Sequence, residues 1–147
     1  MRVIVLRGIS GSGKSTCARA LAESVEGAVV VSSDHFFEQE DGSYAFDHDK
    51  LGEAHAMCFR AFIEACQAKV PLIVVDNTNS RMIEIAPYML GARAYGYEAT
   101  VLEVECDVLE ALGRGTHGVP QDVTLEMAAR IKYERVMPWW PSERIKT

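Results

Sequence analysis

The chain has 147 residues, 48% of them apolar, with 11 glycines and five prolines: enough for one domain with a real core, and no match to collagen, coiled coil or low-complexity disorder. Fifteen basic against 21 acidic residues leave a net charge of −6, so the molecule as a whole does not behave as a generic nucleic-acid coat. No apolar run approaches the ~20 residues that span a bilayer, and the apolar stretch after Arg2 is too short for a secretory signal, so a cytoplasmic protein without membrane contact is expected.

In chain order, residues 3–6 form an apolar run that reads as a strand, followed by a helical pattern over 14–24. Residues 28–31 read as a second strand. Leu51, Ala54, Cys58, Phe59, Phe62 and Cys66 then trace one apolar stripe on a helix of about five turns, with His55 beside it as a packed, hydrogen-bonded histidine. Residues 72–75 give a third strand, and 83–95 a helix in which Pro87 is expected within the first turn, with regular pairing starting near Ile85. A fourth strand over 100–104 precedes helices over 107–112, capped by Asp107, and 123–133. Between these last helices, residues 113–120 carry Gly113, Gly115 and Gly118, which reads either as a plain loop or as a segment covering a site. Three of the four strands are apolar throughout, as in a sheet covered on both faces. Strands alternating with helices therefore predict a single three-layer α/β domain over 1–147, with a parallel sheet of about four strands and a helical lid around 113–120. Cys17, Cys58, Cys66 and Cys106 have no Cys-x-x-Cys spacing and read as reduced, mostly buried thiols.

The chemistry concentrates after the strands. Gly8-Ile9-Ser10-Gly11-Ser12-Gly13-Lys14-Ser15 fits G-x-x-x-x-G-K-[ST] between a strand and a helix, the context in which backbone N–H groups curl around phosphate oxygens. Gly8, Ser10, Gly11, Ser12, Gly13, Lys14, Ser15 and Thr16 are thus the expected ATP-binding set. Lys14 is to reach the β and γ phosphates and Ser15 to ligate Mg²⁺, while Thr16 either touches the α phosphate or is structural. Asp34 follows the second strand and Asp76 the third, and the carboxyl ends of neighbouring parallel strands share one crevice. Asp34 is the candidate general base for a hydroxyl acceptor, and Asp76 the candidate for holding Mg²⁺ or its water shell. Arg114 is a candidate for neutralising charge on the transferred phosphate. Asn77 and Asn79 either fix their turn or touch substrate, and His117 either binds substrate or closes its loop. Arg130, Lys132 and Arg135 either meet a phosphate or form a solvated helix face. Phe36, Phe37 and Tyr44 read as packing aromatics or a stacking surface, and the Trp139-Trp140 pair as a seal on the core edge or a partner surface.

Four separated motifs, Gly8 to Ser15, Ser33-Asp34-His35-Phe36-Phe37, Asp76-Asn77-Thr78-Asn79 and residues 114–120, resemble P-loop kinases of the bacteriophage polynucleotide 5′-kinase type and the related P-loop domains of ubiquitin-ligase-binding proteins. That resemblance implies the P-loop NTPase fold. It also implies a Mg²⁺- and ATP-dependent kinase with Lys14 and Ser15 on the ATP phosphates, Asp34 as base, Asp76 as an essential carboxylate and Arg114 as the lid arginine. The implied acceptor is the 5′-hydroxyl of a nucleic acid; the alternatives are a small-molecule kinase acting on a nucleoside, sugar or antibiotic hydroxyl, or a non-enzymatic ATP-binding module. The arginine that such phage enzymes place near the position of Phe37 to grip an acceptor phosphate has no counterpart here.

Overall fold

Alternation along the first strand decides the layering. In β1 (Arg2–Arg7), Val3 and Val5 face one side of the sheet while Ile4 and Leu6 face the other. The computed structural model describes residues 1–115 and 118–147, so the expectation for His117 lies outside the described residues. On the Ile4–Leu6 side, α1 (Lys14–Glu23) packs Cys17, Ala18 and Leu21 against Leu72, Val74 and Leu102. On the other side, α2 (Leu51–Gln67) and α3 (Met82–Ala94) bury Cys58, Phe62, Ile85, Tyr88 and Met89 against Val3, Val5, Ile73, Val75 and Val101.

The remaining strands are β2 (Val29–Val31), β3 (Leu72–Val75), β4 (Glu98–Glu105) and β5 (Ser142–Lys146). They run parallel in the order β2-β3-β1-β4-β5. The three-layer parallel α/β architecture is as expected, but the sheet has five strands rather than about four. The fifth, Ser-Glu-Arg-Ile-Lys, has no apolar run because it is an edge strand exposed along its whole length. Its register sets Arg144 opposite Glu103, and Arg144 pairs with Glu103 at 3.1 Å and Glu105 at 3.5 Å. Charge complementarity across the ladder replaces burial.

Three local expectations are corrected. The third helix begins at Met82, so Pro87 lies in its second turn; the hydrogen bond this forfeits is to Ile83, which is 75% exposed and leaves its carbonyl to water. His55 is exposed, one position beyond the buried stripe of Ala54, Cys58 and Phe62. Gly113 and Arg114 are not loop residues but the last turn of α4 (Val108–Arg114), which Asp107 caps and Gly115 ends with a left-handed φ of +51°. A further helix, α5 (Gln121–Tyr133), follows. The tryptophan pair divides: Trp140 packs on the core edge, whereas Trp139 is 70% exposed.

Arg7, the last residue of β1, is buried to the tip of its side chain. Its guanidinium pairs with Glu103 at 2.9 Å and donates to the carbonyls of Asn79, Ser80 and Glu134. Glu103→Ala should lower the unfolding free energy by about 3–5 kcal/mol in a urea titration, because it strands a buried cation. A loss below about 1 kcal/mol would mean that the carbonyl contacts alone suffice to hold the guanidinium.

Candidate functional site

β1 runs into a turn whose glycines have separate steric causes. A Cβ on Gly8 would lie 2.7 Å from the Val104 carbonyl and 2.8 Å from Ser12 Oγ; one on Gly11 would lie 2.3 Å from the Ala111 carbonyl of α4. Gly13, at φ +91°, is the N-cap of α1. At these glycine positions the turn therefore presents backbone, at a helix N-terminus where unpaired N–H groups favour an anion. Ser12 Oγ is buried with no hydrogen-bond partner among the described residues. Lys14 is buried and donates from Nζ to the Ile9 carbonyl at 2.7 Å. Burial pulls its ammonium down from 10.5 to about 8, against the opposing charges of Asp76 and Asp34.

Asp76 follows β3 and is fixed through its backbone, its N–H donating to the Val31 carbonyl at 2.9 Å and its carbonyl accepting from Ser32 Oγ at 2.7 Å. Burial pushes its carboxyl above the usual range, offset by a hydrogen bond from Ser15 and by the Lys14 charge. Asp34 lies half-buried in a 3₁₀ turn (Ser33–Phe36) and accepts from the Tyr44 hydroxyl at 2.9 Å on Oδ1. Beneath the two acids, Asn77 Oδ1 accepts from the backbone and hydroxyl of Ser33 at 2.9 and 2.8 Å, and Asn77 Nδ2 and the Tyr88 hydroxyl donate to Cys58 Sγ at 3.5 and 3.3 Å. Asn79 sits at φ +47° and donates to the Leu6 carbonyl at 2.7 Å. Both asparagines are thus held in their turns by the fold.

Arg114 projects from the end of α4 over the glycine turn and donates to the Gly11 carbonyl at 3.1 Å, with Glu110 at 3.8 Å. Ser10, Gly11, Lys14, Asp34, Asp76 and Arg114 line one cleft of about 200 Å³, which also includes Gly13, Ser15 and Thr16. Gly8 and Ser12, of the same expected set, do not line this cleft. A larger cavity of about 620 Å³ lies between α5 and the β4–β5 edge, lined by Gly8, Lys132, Arg135, Arg144 and Lys146 among others. The lysine and both strand-end carboxylates converge in the smaller space. Arg130 pairs with Glu126 at 3.0 Å on the helix face, and Lys132 and Arg135 face the larger cavity. Phe37 is buried, with ring centroids 5.2, 5.9 and 5.1 Å from Phe36, Tyr44 and Phe46, so packing accounts for it. The contacts that sequence reasoning missed are the Tyr44 hydroxyl on Asp34 and the Cys58–Asn77–Ser33 chain, which join distant positions and have no local signal.

A parallel sheet in the order 2-3-1-4-5, with a glycine-lysine turn at the end of its central strand, defines a P-loop kinase-like domain. Residues 3–132 match the family model described as an AAA domain, and the chain belongs to that family. It is similar to human NEDD4-binding protein 2, 34% identical over 129 residues that make up 85% of this chain but 7% of that protein, so the chain spans a small part of its relative's length. Among solved structures it resembles a chain of the Pnkp1/Rnl/Hen1 RNA repair complex, with a TM-score of 0.73 and 19% identity over 90% of this chain and 44% of that one. It also resembles a sugar kinase from Janibacter sp. HTCC2649, with a TM-score of 0.68 and 18% identity over 99% and 85% of the two chains. At such identities these two likenesses speak to the fold. No helix among the described residues is long and apolar enough to cross a membrane.

The Lys14 ammonium yields a pH test. A lysine whose folded value is lowered leaves the unfolded chain with more bound protons between about 8 and 10.5, so stability rises with pH across that window. Relative to Lys14→Met, the wild-type unfolding free energy should gain up to about 3 kcal/mol from pH 8 to 10.5. Parallel stability curves for the two proteins would show that the ammonium is not desolvated.

Proposed function

We propose that this domain is a phosphotransferase that moves the γ phosphate of ATP to a hydroxyl, with the 5′-hydroxyl of a nucleic acid as acceptor. The observation that carries the reading is the convergence of Lys14, Asp34, Asp76 and Arg114 on one cleft. The glycine turn over residues 8–13 and the α1 N-terminus bind phosphate oxygens through backbone N–H groups, and Lys14 supplies fixed positive charge behind them. The residues present suit Mg²⁺: Ser15 and Asp76, already hydrogen-bonded to each other, would hold it. When bound, the ion supplies neutralisation of charge on the phosphates. Asp34 accepts the proton of the acceptor hydroxyl as its oxygen bonds to phosphorus and the bond to the leaving phosphate breaks. Arg114, exposed and one side chain's reach from the glycine turn, stabilises the charge on the transferred group. Action on ATP fits a cytoplasmic protein.

The nucleic-acid acceptor is supported by the four-motif resemblance. A second reading, a small uncharged alcohol as acceptor, is favoured by charge. The flank beyond Asp34, residues 38–53, holds Glu38, Glu40, Asp41, Asp47, Asp49 and Glu53 against Lys50 alone. Transfer of γ-label from ATP to 5′-hydroxyl DNA or RNA oligonucleotides, abolished by Lys14→Ala, supports the first reading. Transfer only to members of a nucleoside and sugar panel supports the second. Bound ATP with no transfer to any acceptor would leave a nucleotide-binding module and end the kinase reading.

Asp34→Asn should lower turnover by ~10²–10⁴ with ATP affinity nearly unchanged, and unchanged turnover removes Asp34 from the role of base. Arg114→Ala should raise the barrier by about 4–7 kcal/mol, read from kcat/KM; a change confined to KM contradicts a role in the transition state.

A further inference from the structure

We infer that Tyr44 is a positioning residue that holds the Asp34 carboxylate in the orientation from which it accepts the acceptor's proton. The inference rests on the reading of Asp34 as general base and extends it to a residue ten positions away. The torsion that turns an aspartate carboxylate is broad and roughly two-fold, so a buried backbone alone does not aim its oxygens. The backbone of Asp34 is fixed separately, its N–H donating to Ser32 Oγ at 3.2 Å and its carbonyl accepting from Phe37 N–H at 2.9 Å. Among the described residues, the hydrogen bond that reaches the Asp34 side chain is the one from the Tyr44 hydroxyl, at 2.9 Å on Oδ1. With Oδ1 occupied and the carboxylate plane set, Oδ2 is the oxygen left to take a proton in the cleft that Asp34 lines.

The chain invests structure in bringing Tyr44 to this point. Residues 37–45 fold back as a small hairpin: Glu38 bridges Tyr44, Ala45 N–H donates to the Phe37 carbonyl at 2.9 Å, and Gln39 N–H donates to the Ser43 carbonyl at 2.8 Å. Gly42 takes the turn at φ +82°, a backbone angle that glycine adopts without cost, and Asp41 accepts from the Ser43 backbone and hydroxyl at 2.9 and 2.6 Å. Buried Phe37 anchors the hairpin and meets the Tyr44 ring edge-on. Burial, the hydrogen bond to Asp34 and the charges of Asp34 and Glu38 all push the phenol above its usual range, so it remains a protonated donor wherever a kinase would work.

Tyr44→Phe keeps the ring and removes only the hydroxyl. The test is ATP turnover followed as ADP formation, first with water as the nucleophile and then with a 5′-hydroxyl oligonucleotide, whose labelled 5′ end is read alongside, in four proteins: wild type, Tyr44→Phe, Asp34→Asn and the double variant. The expected result is a fall in kcat of about 10–100-fold for Tyr44→Phe with KM for ATP within about twofold. In the Asp34→Asn background the same change should alter the rate by less than about twofold, because a residue acting through Asp34 has nothing left to orient. An unchanged or raised kcat overturns the inference, as does an equal loss in both backgrounds, which marks a general disturbance of the fold. Failure of the underlying base reading is a separate signal: Asp34→Asn itself retaining full turnover.

Discussion

The buried guanidinium of Arg7 is the constraint around which the carboxyl end of the sheet is arranged. A charge taken out of water costs several kcal/mol unless paired and hydrogen-bonded, so the segments that supply its partners have to assemble together. Those segments are β4 through Glu103, the turn after β3 through the Asn79 and Ser80 carbonyls, and the chain after α5 through the Glu134 carbonyl. The next residue is Gly8, whose N–H donates to the Thr78 carbonyl at 3.0 Å. The glycine turn and the Asp76 turn are therefore registered to each other before any ligand arrives. Glu103 is shared between Arg7 and Arg144, so the same interaction also attaches the edge strand.

Inside that frame the cleft is built against its own stability. Burial disfavours the charged form of both Lys14 and Asp76, and each is relieved in part by the other. Proteins commonly accept such strain where chemistry needs pre-placed charge. The supporting layer is polar but satisfied: Ser32, Ser33, Asn77, Cys58 and Tyr88 pass hydrogen bonds from one strand end to α2 and α3. Asp76 and Asp34 themselves lie in the turns after β3 and β2, and these hydrogen bonds tie the two turns to each other and to α2 and α3.

How far this was legible in the sequence depends on the range of each interaction. Residues 3–6, 28–31 and 72–75 announce themselves because both faces of those strands are covered, and the lysine-bearing glycine turn because its steric needs are local. The last strand, over residues 142–146, was invisible because its neighbours, not its side chains, make it a strand. Pro87 reads as a first-turn residue because the sequence does not show that Ile83, whose carbonyl loses its partner, is exposed. Arg114 reads as a loop residue from Gly113 and Gly115, yet Asp107 starts a helix that carries it, and the helix C-terminus sets its reach to Gly11. Tyr44 was legible only as an aromatic, since its partner lies across a hairpin whose turn chemistry, Asp41-Gly42-Ser43, says where the chain reverses but not what it touches.

Charge is unevenly divided about the cleft. Residues 38–53, which follow Asp34 in the chain, hold six carboxylates and one lysine, while the larger cavity beyond the glycine turn is lined by Arg7, Lys132, Arg135, Arg144 and Lys146 together with Glu103, Glu105 and Asp107. At physiological salt, fields reach about 8 Å before screening, so each side acts on what enters next to it rather than on the whole molecule. Under the proposed reading, the phosphates of a nucleotide on the glycine turn would face Lys14 and Arg114, which line the cleft. Under the same reading, the acidic stretch that follows Asp34 would weigh against an acceptor that carries much negative charge near its reacting hydroxyl.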